Sequence, residues 1–377
     1  MIDQKLADAR RKTNPLFNDR KLKLGTFCSN LDYGAAMSTI DGTLRISWPN
    51  TLALAKIANE MDFEAIVPVG RWRGFGGKTN FNGPGFETYA WAAGIGASID
   101  KSCVFATSHV PTVHPVMAAK QAQVIDHITN GRFALNIVTG WHSSEIEMFG
   151  APLREHDERY DMAAEWLEVI KRLWTEEEEF DHSGKYYQIK KGYLMPKPIQ
   201  QPFPAIMNAG GSEKGRHYCA KFCDIAFVGL ASHRLEDAKA QVDAYRKLAR
   251  ELYGRDIQVW TNTYVVQGET EKEANDLLHE YIDEKGDWEA AENLVETMGL
   301  NALTFPPGVL QDLKRHFVGG WAGYPIVGTK EQIVEQMKTL SDFVGLDGIL
   351  LTWPRYESGM REFQQKTMPL VIQAGLR

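Results

Sequence analysis

The strongest constraint on the fold is a short apolar run followed by an amphipathic helical segment, a pattern that repeats eight times. The first unit pairs LKLGTFCSN (22–30) with TLALAKIANEM (51–61), and the last pairs LDGILLTW (346–353) with GMREFQQKTMPLVI (359–372). Strands that alternate with helices are expected to pair in parallel. Eight units predict an α/β fold, a (β/α)8 TIM barrel, while a doubly wound open sheet is the alternative that the pattern also allows.

Two stretches lie outside the eight units. Residues 180–202 indicate a hairpin and a Pro-rich connection before the fifth strand. Residues 288–329, the long insertion, lie between the seventh helix and the eighth strand and are too long for an ordinary connection. Long segments at the mouth of a barrel often act as lids. No linker divides the chain, so we expect one domain over residues 1–377.

Composition excludes several classes of partner. The 377 residues carry a net charge of −7 with scattered basic residues, which argues against nucleic acid or an anionic membrane. No apolar run approaches the roughly 18 residues of a membrane span, and the amino terminus lacks the apolar core of a signal peptide. Cys219 and Cys223 lie four apart without further ligands at zinc spacing, so no metal is expected. A reduced, cytoplasmic location is predicted.

The glycine loop, RWRGFGGKT (71–79), resembles a phosphate-binding motif but matches none. A Walker A loop needs glycine five positions before Gly77, where Trp72 stands. A dinucleotide fingerprint starting at Gly74 needs a third glycine where Thr79 stands. The segment is therefore interpreted as a flexible, cationic loop between a strand and a helix.

The strand ends offer hydrogen-bonding groups but few acids or bases. Thr107 ends the third strand, Asn136 lies in the fourth, and Asn208 ends the fifth. No paired carboxylates stand out at the strand ends, and the sequence has no Gly-x-Ser-x-Gly elbow. Barrel active sites lie at the carboxyl ends of the strands. A polar mouth with little acid–base capacity predicts that a cofactor carries the chemistry.

Two features favour an anion at this mouth. NAGGSEKG (208–215) follows a strand and opens a helix, with Ser212 as N-cap, so it predicts either an anion site or an ordinary capped helix. Asp157 is expected to cap the candidate helix that follows the fourth strand, with Arg159 in its first turn. A cation there opposes the helix dipole, so Arg159 either faces an anion or forms a salt bridge.

Three motifs resemble one known family. GRFALNIVTGWHSSE (131–145), HDERY (156–160) and MNAGGSEKG (207–215) are similar to the bacterial-luciferase-like flavin monooxygenases, over nearly the whole chain from Lys23 to about Leu370. RGFGGKT (73–79) resembles the pyrimidine monooxygenases of uracil degradation. EHDERY (155–160) and PKPIQQPFP (196–204) resemble the dimethylsulfone monooxygenases instead.

The resemblance implies a two-component monooxygenase. Reduced FMN would come from a separate flavin reductase, O2 would be the co-substrate, and the chain would form a homo-oligomer, a dimer or a tetramer. Ring opening of a pyrimidine such as uracil is the implied reaction. Motif matching assigns eight residues: Gly70 and Arg71 along the flavin, Thr107 and Asn136 as catalytic groups at the edge where oxygen reacts, Glu145 against the flavin or its ribityl chain, and Arg159, Tyr160 and Ser212 at the phosphate.

Other functions stay open at this point. A dimethylsulfone or alkanesulfonate monooxygenase would keep the fold and cofactor and change the substrate. A sulfonate would need several cations, which Arg71, Arg73 and Lys78 could supply. A non-catalytic flavin-binding protein and a deazaflavin-dependent dehydrogenase are further alternatives, and the cofactor that binds would separate the second of these.

Overall fold

The structure is a computed structural model that describes residues 4–300 and 307–377. Residues 301–306 of the long insertion lie outside the described residues. The strands, in chain order, are β1 (Lys23–Phe27), β2 (Ala65–Val67), β3 (Cys103–His109), β4 (Phe133–Val138), β5 (Phe180–Ser183), β6 (Gln188–Gly192), β7 (Ala205–Asn208), β8 (Ile225–Phe227), β9 (Gln258–Gln267), β10 (Tyr324–Gly328) and β11 (Gly348–Thr352).

Every strand except β5 and β6 is followed by a helix. In chain order the helices are α1 (Gln4–Thr13), α2 (Trp48–Glu60), α3 (Thr88–Gly96), α4 (Pro115–Ile128), α5 (Ser143–Met148), α6 (His156–Thr175), α7 (Glu213–Phe222), α8 (Leu235–Tyr253), α9 (Glu271–His279), α10 (Trp288–Thr297), α11 (Pro307–Gly320), α12 (Lys330–Thr339), α13 (Tyr356–Glu362) and α14 (Met368–Gln373). Short π-helical turns follow α9, α12 and α13.

Eight parallel strands close into a barrel. The order of neighbours is β9, β11, β1, β2, β3, β4, β7 and β8, and β8 pairs again with β9. Each pair is parallel, including β1 with β11 and β8 with β9. The predicted (β/α)8 barrel is confirmed. The open-sheet alternative is wrong because the pairing of β8 with β9 closes the sheet.

Two segments outside the eight units also form strands. Strands β5 and β6 form an antiparallel hairpin within residues 180–192. Strand β10, near the end of the long insertion, pairs in parallel with Thr263–Gln267 of β9. One edge of β9 pairs with β11. On the other edge, β8 pairs with Gln258–Trp260 and β10 pairs with the residues further along the strand. The long insertion is therefore anchored in the sheet.

Alternation along the strands divides the core into two layers. Alternate residues such as Phe105 and Met207 fill the barrel interior with Trp260. Their neighbours, such as Val104 and Ile206, pack outward against the helices. A third cluster, the insertion core, lies between the glycine loop and the insertion helices and includes Phe75, Phe81, Tyr281, Leu294 and Phe317.

The amino-terminal ends of the strands are closed by buried carboxylates. Glu64 accepts a hydrogen bond from the N–H of Leu24 and pairs with Arg377 at 2.6 Å. Asp224 pairs with Arg10 at 2.9 Å. Helix α1 and Arg377 are therefore both fixed at the end of the barrel opposite the carboxyl ends of the strands.

One predicted helix start is wrong. Helix α6 begins at His156 with Glu155 at the N-cap position, so Asp157 lies inside the first turn rather than at the cap. Glu155 makes no side-chain capping bond, and Asp157 instead contacts the ring of His156 at 2.8 Å. Among residues 4–300 and 307–377, no helix is long and apolar enough to cross a membrane.

Candidate active site

A cavity of about 340 Å³ opens at the carboxyl ends of the strands. This is the end at which barrel enzymes place their sites, and the volume is within the range of small-molecule sites. The cavity is lined by Phe27, Pro68, Val69, Gly70, Arg71, Thr107, His109, Asn136, Ile137, Val138, Thr139, Trp141, His156, Arg159, Tyr160, Asn208, Ala209, Phe227, Met298 and Trp321. Six of the eight residues that motif matching assigned are among them, whereas Glu145 and Ser212 are not.

Thr107 and Asn136 are direct partners in the register of β3 and β4. Asn136 donates from Nδ2 to Thr107 Oγ1 at 3.2 Å, and Thr107 donates in turn to the carbonyl oxygen of Pro68 at 2.6 Å. Asn136 Oδ1 is buried without a partner among the described residues. Since an unpaired buried polar atom is costly, Asn136 is suited to a ligand that supplies a hydrogen bond.

Arg71 is held in the cavity wall by Glu145. The guanidinium Nη1 lies 3.0 Å from Glu145 Oε2, and both side chains are almost completely buried. Glu145 Oε1 accepts from the backbone N–H groups of Trp72 and Arg73 at 2.6 and 3.0 Å. Both carboxylate oxygens are thus occupied by the glycine loop. The structure places Glu145 behind Arg71, outside the cavity lining.

Burial and partners act in opposite directions on this pair. Burial raises the pKa of Glu145, but the hydrogen bond with His142 and the charge of Arg71 outweigh it, and the pKa falls to about 2. Burial lowers the pKa of Arg71, and Glu145 partly offsets that effect. The site therefore contains a buried ion pair with no net charge.

Aromatic rings surround the guanidinium of Arg71. Its central carbon lies 5.1 Å from the ring centroids of Phe75 and Trp141 and 5.7 Å from that of Trp321. Such rings attract a cation through their π faces. They also fix Arg71 in one orientation at the boundary between cavity and loop.

Gly70 leaves space at the floor of the cavity. A Cβ at this position would lie 3.1 Å from the His109 ring and 3.3 Å from the Thr107 side chain. Burial, and after it the charge of Arg71, lowers the pKa of His109 to about 4. His109 is therefore a neutral imidazole beside the cavity at neutral pH.

Arg159 and Tyr160 also line the cavity. Arg159 donates from Nη1 to the carbonyl of Gly140, and its Nε is buried without a partner among the described residues. The hydroxyl of Tyr160 lies 2.6 Å from the position that a Cβ on Gly215 would occupy, so it contacts the first turn of α7. Ser212 caps that helix by accepting from Gly215 N at 3.1 Å. The structure thus groups Arg159, Tyr160 and the amino terminus of α7, with Ser212 just outside the lining.

Several lining residues were missed by the sequence analysis. Phe27 and Phe227 end β1 and β8, and their rings meet at 5.4 Å above the barrel interior. An inspection of strand ends for large apolar residues, and not only for polar ones, would have found them. Met298 and Trp321 come from the long insertion. No local pattern places those two residues in the cavity.

Residues 4–300 and 307–377 contain no group of three or more His, Cys, Asp or Glu side chains arranged to hold a metal ion. Cys219 lies in α7 and Cys223 directly follows it, and both are buried thiols in the core.

The fold and the cavity define a barrel enzyme with a site large enough for a cofactor. The family model for luciferase-like monooxygenases matches residues 22–346. The chain therefore belongs to the luciferase-like monooxygenase family, as the three sequence motifs predicted.

Relatives within this family act on different substrates. The chain is 30% identical to an FMNH2-dependent dimethylsulfone monooxygenase of Pseudomonas putida, over 93% of this chain and 95% of that protein. It is 28% identical to the pyrimidine monooxygenase RutA of Acinetobacter baylyi, again over 93% and 95%. Both of the family branches that the motifs resembled are thus represented at similar identity.

Solved structures show the same fold. A riboflavin lyase, in complex with modified FMN and riboflavin, superimposes with a TM-score of 0.84 at 21% identity, over 94% of this chain and 92% of that one. A long-chain alkane monooxygenase gives a TM-score of 0.82 at 22% identity, over 95% and 92%.

Proposed function

We propose that the chain is the oxygenating component of a two-component monooxygenase. It would take reduced FMN from a separate flavin reductase and use O2 to oxidise a small neutral molecule, with ring opening of a pyrimidine such as uracil as the leading reaction. The monooxygenase class and the reduced FMN cofactor, which the motifs implied, are confirmed by the named relatives. The substrate and the reductase are the parts proposed here.

The residues present fit FMN at two separate points. Arg159 Nε and Asn136 Oδ1 are buried polar atoms without partners among the described residues, and both residues line the cavity. Arg159, Tyr160 and the N–H groups at the start of α7 would hold the phosphate, because helix amino termini and arginine both favour anions. Ser212 already caps α7 and would reach the phosphate with the same hydroxyl. Gly70 and Arg71 would lie along the ring system.

Reduced FMN, when bound, supplies the electrons and activates oxygen. The register pair Thr107 and Asn136 is the observation that carries the proposal, since it places two neutral hydrogen-bonding groups on adjacent strand ends. Fixed donors of this kind stabilise negative charge that develops on oxygen. The proton of Thr107 is already given to Pro68, so Asn136 provides the free N–H and Thr107 orients it.

No side chain of the described cavity is required as an obligatory general base in this proposal. His109 is neutral near pH 7 and makes no side-chain hydrogen bond within the described residues. His142 faces Glu145 at 3.4 Å and Ser144 at 3.2 Å. The aromatic side chains of the wall, including Trp141 and Trp321, would exclude water from the oxygen chemistry.

The charges of the cavity favour a neutral substrate. Arg71 is neutralised by Glu145 at 3.0 Å, and Arg159 is assigned to the phosphate. Arg73 and Lys78, which a sulfonate would need, are exposed and lie outside the lining. Pyrimidines and dimethylsulfone are both neutral, and alkanesulfonates are disfavoured. Dimethylsulfone is the second candidate, because the relative at 30% identity acts on it.

The experiment is a substrate screen with chemically or enzymatically reduced FMN and oxygen. Uracil, thymine, dimethylsulfone and short alkanesulfonates are each incubated with the protein, and consumption and product are measured by mass spectrometry. Oxygenated product from uracil or thymine supports the leading reaction. Product from dimethylsulfone alone supports the second candidate, product from alkanesulfonates alone contradicts the charge argument, and peroxide without product from any compound contradicts the proposed substrates.

A further inference from the structure

A buried carboxylate joins the glycine loop to the long insertion. Asp287 is 2% exposed and precedes α10. Its Oδ2 accepts from the backbone N–H and the hydroxyl of Thr79 at 2.6 and 2.7 Å, and its Oδ1 accepts from Ala290 N at 3.2 Å. The described residues give Asp287 no cationic partner, so hydrogen bonds and the amino terminus of α10 hold its charge.

Gly77 allows this carboxylate to approach the loop. The residue has φ of +67°. A Cβ at Gly77 would lie 2.4 and 2.6 Å from the two carboxylate oxygens of Asp287, closer than real side chains come. Asn293, on α10, adds a second contact by donating to the carbonyl of Phe75 at 2.8 Å. The glycine that suggested a phosphate site is therefore explained by a protein carboxylate.

The same loop and insertion supply adjoining parts of the cavity wall. Trp321 donates from Nε1 to Asn82 Oδ1 at 3.0 Å. Its ring packs against Phe75 at 5.9 Å and lies 5.7 Å from the guanidinium of Arg71. Arg71 and Trp321 both line the cavity, although they are 250 residues apart in the chain. Their relative position depends on how the loop is fastened to the insertion.

We infer that Asp287 is a positioning residue that clamps the glycine loop to α10 and so presents Arg71 and Trp321 as a single wall. Without the clamp, the loop would separate from the insertion and water would enter beside the flavin. The consequence for catalysis rests on the proposed function, whereas the clamp itself does not.

The clamp is tested first on the protein without flavin, by hydrogen–deuterium exchange measured by mass spectrometry. Asp287→Asn and Thr79→Val each remove part of the contact. Both should speed exchange in residues 71–82, a segment in which Phe75 N and Phe81 N are hydrogen-bonded, by roughly tenfold to a hundredfold. Thr79→Ser keeps the hydroxyl and should exchange like the wild type.

A matched control removes a helix cap elsewhere. Thr270 caps α9 by accepting from Glu273 N at 3.2 Å, far from the loop in sequence and outside the cavity. Thr270→Ala should lower thermal stability without changing exchange in residues 71–82. Unchanged loop exchange in both Asp287→Asn and Thr79→Val, or an equal rise in Thr270→Ala, overturns the clamp.

Two further readouts separate positioning from general destabilisation. In the double variant Asp287→Asn/Thr79→Val, residues 71–82 should exchange no faster than in the stronger single variant, because both substitutions remove the same contact. Additive increases in the exchange rate contradict the inference. With a substrate that the wild type oxidises, the single variants should release more hydrogen peroxide per product, and unchanged coupling overturns the role in catalysis. Absence of product from the wild type would contradict the proposed function and leave the exchange result to decide the clamp.

Discussion

Glu145→Gln is predicted to destabilise the protein by isolating one buried charge. In this variant the carbonyl oxygen of the new amide would replace Glu145 Oε1 and keep the hydrogen bonds from the N–H groups of Trp72 and Arg73. The NH2 group would replace Oε2 and face Arg71, so that one donor opposes another at the 3.0 Å contact. The substitution therefore removes the partner of Arg71 while preserving the shape and most backbone contacts.

The magnitude follows from two independent considerations. Removing one partner of a buried ion pair costs about 3–5 kcal/mol. The lowering of the Glu145 pKa from 4.5 to about 2 corresponds to about 3 kcal/mol of stabilisation in the folded state. Because the folded pKa is the lower one, this stabilisation is complete above pH 4.5 and is lost as the pH falls towards 2.

The assay is urea unfolding at pH 7 followed by tryptophan fluorescence. Glu145→Gln should lower the free energy of unfolding by about 3 kcal/mol. Arg71→Met alone should also destabilise, and the double variant should recover much of the loss because neither charge is left unpaired. A loss below about 1 kcal/mol in Glu145→Gln, or strict additivity in the double variant, would refute the account of the pair.

Three further predictions concern the cofactor, the oxygen chemistry and acid stability. Arg159→Ala should weaken FMN binding by roughly tenfold or more and riboflavin binding far less, because only FMN has a phosphate; equal losses in fluorescence titrations would remove Arg159 from the phosphate. Asn136→Ala and Thr107→Val should keep FMN affinity within a few-fold yet divert turnover to hydrogen peroxide. The rate of product formation should fall by less than the roughly 10²–10³-fold loss known for removal of an oxyanion-hole donor. A normal product yield, measured by mass spectrometry, contradicts this prediction. Burial, with the charge of His316 as a second cause, lowers the pKa of His233 to about 4, and burial lowers that of His316 to about 4. The contribution of these two histidines to stability is present above pH 6.5 and is lost as the pH falls to 4. In urea unfolding, His233→Asn should therefore reduce the change in the free energy of unfolding between about pH 7 and 4.5. An unchanged pH dependence would contradict the assignment.

The barrel could be predicted because its signal is local and repeated. Each of the eight apolar runs became a barrel strand, since the pattern of strand and helix is set by neighbouring residues. Strand β10 was missed within the long insertion because its pairing with Thr263–Gln267 joins segments about 60 residues apart. The start of α6 was misplaced because Asp157, a good capping residue, lies two positions after Glu155, where the backbone leaves the helix.

The site was predictable where it depends on strand ends and not where it depends on contacts between distant segments. Thr107 and Asn136 were found because parallel neighbours bring their ends together. The pair of Arg71 and Glu145 joins residues 74 positions apart, and nothing in either segment indicates the other. The contact of Glu145 with the flavin stays a prediction, and in the structure its oxygens are bonded to Arg71, Trp72 and Arg73 of the glycine loop.

The fastening of α1 and Arg377 at one side of the barrel has a practical consequence. Arg10 and Arg377 are each held by a buried carboxylate at the amino-terminal ends of the strands, while the cavity opens at the other side. A protein immobilised on an electrode or bead through residues near Arg10 or Arg377 would present its cavity away from the support. A flavin reductase tethered at the same place would need a linker that spans the height of the barrel to deliver reduced flavin to the opening of the cavity.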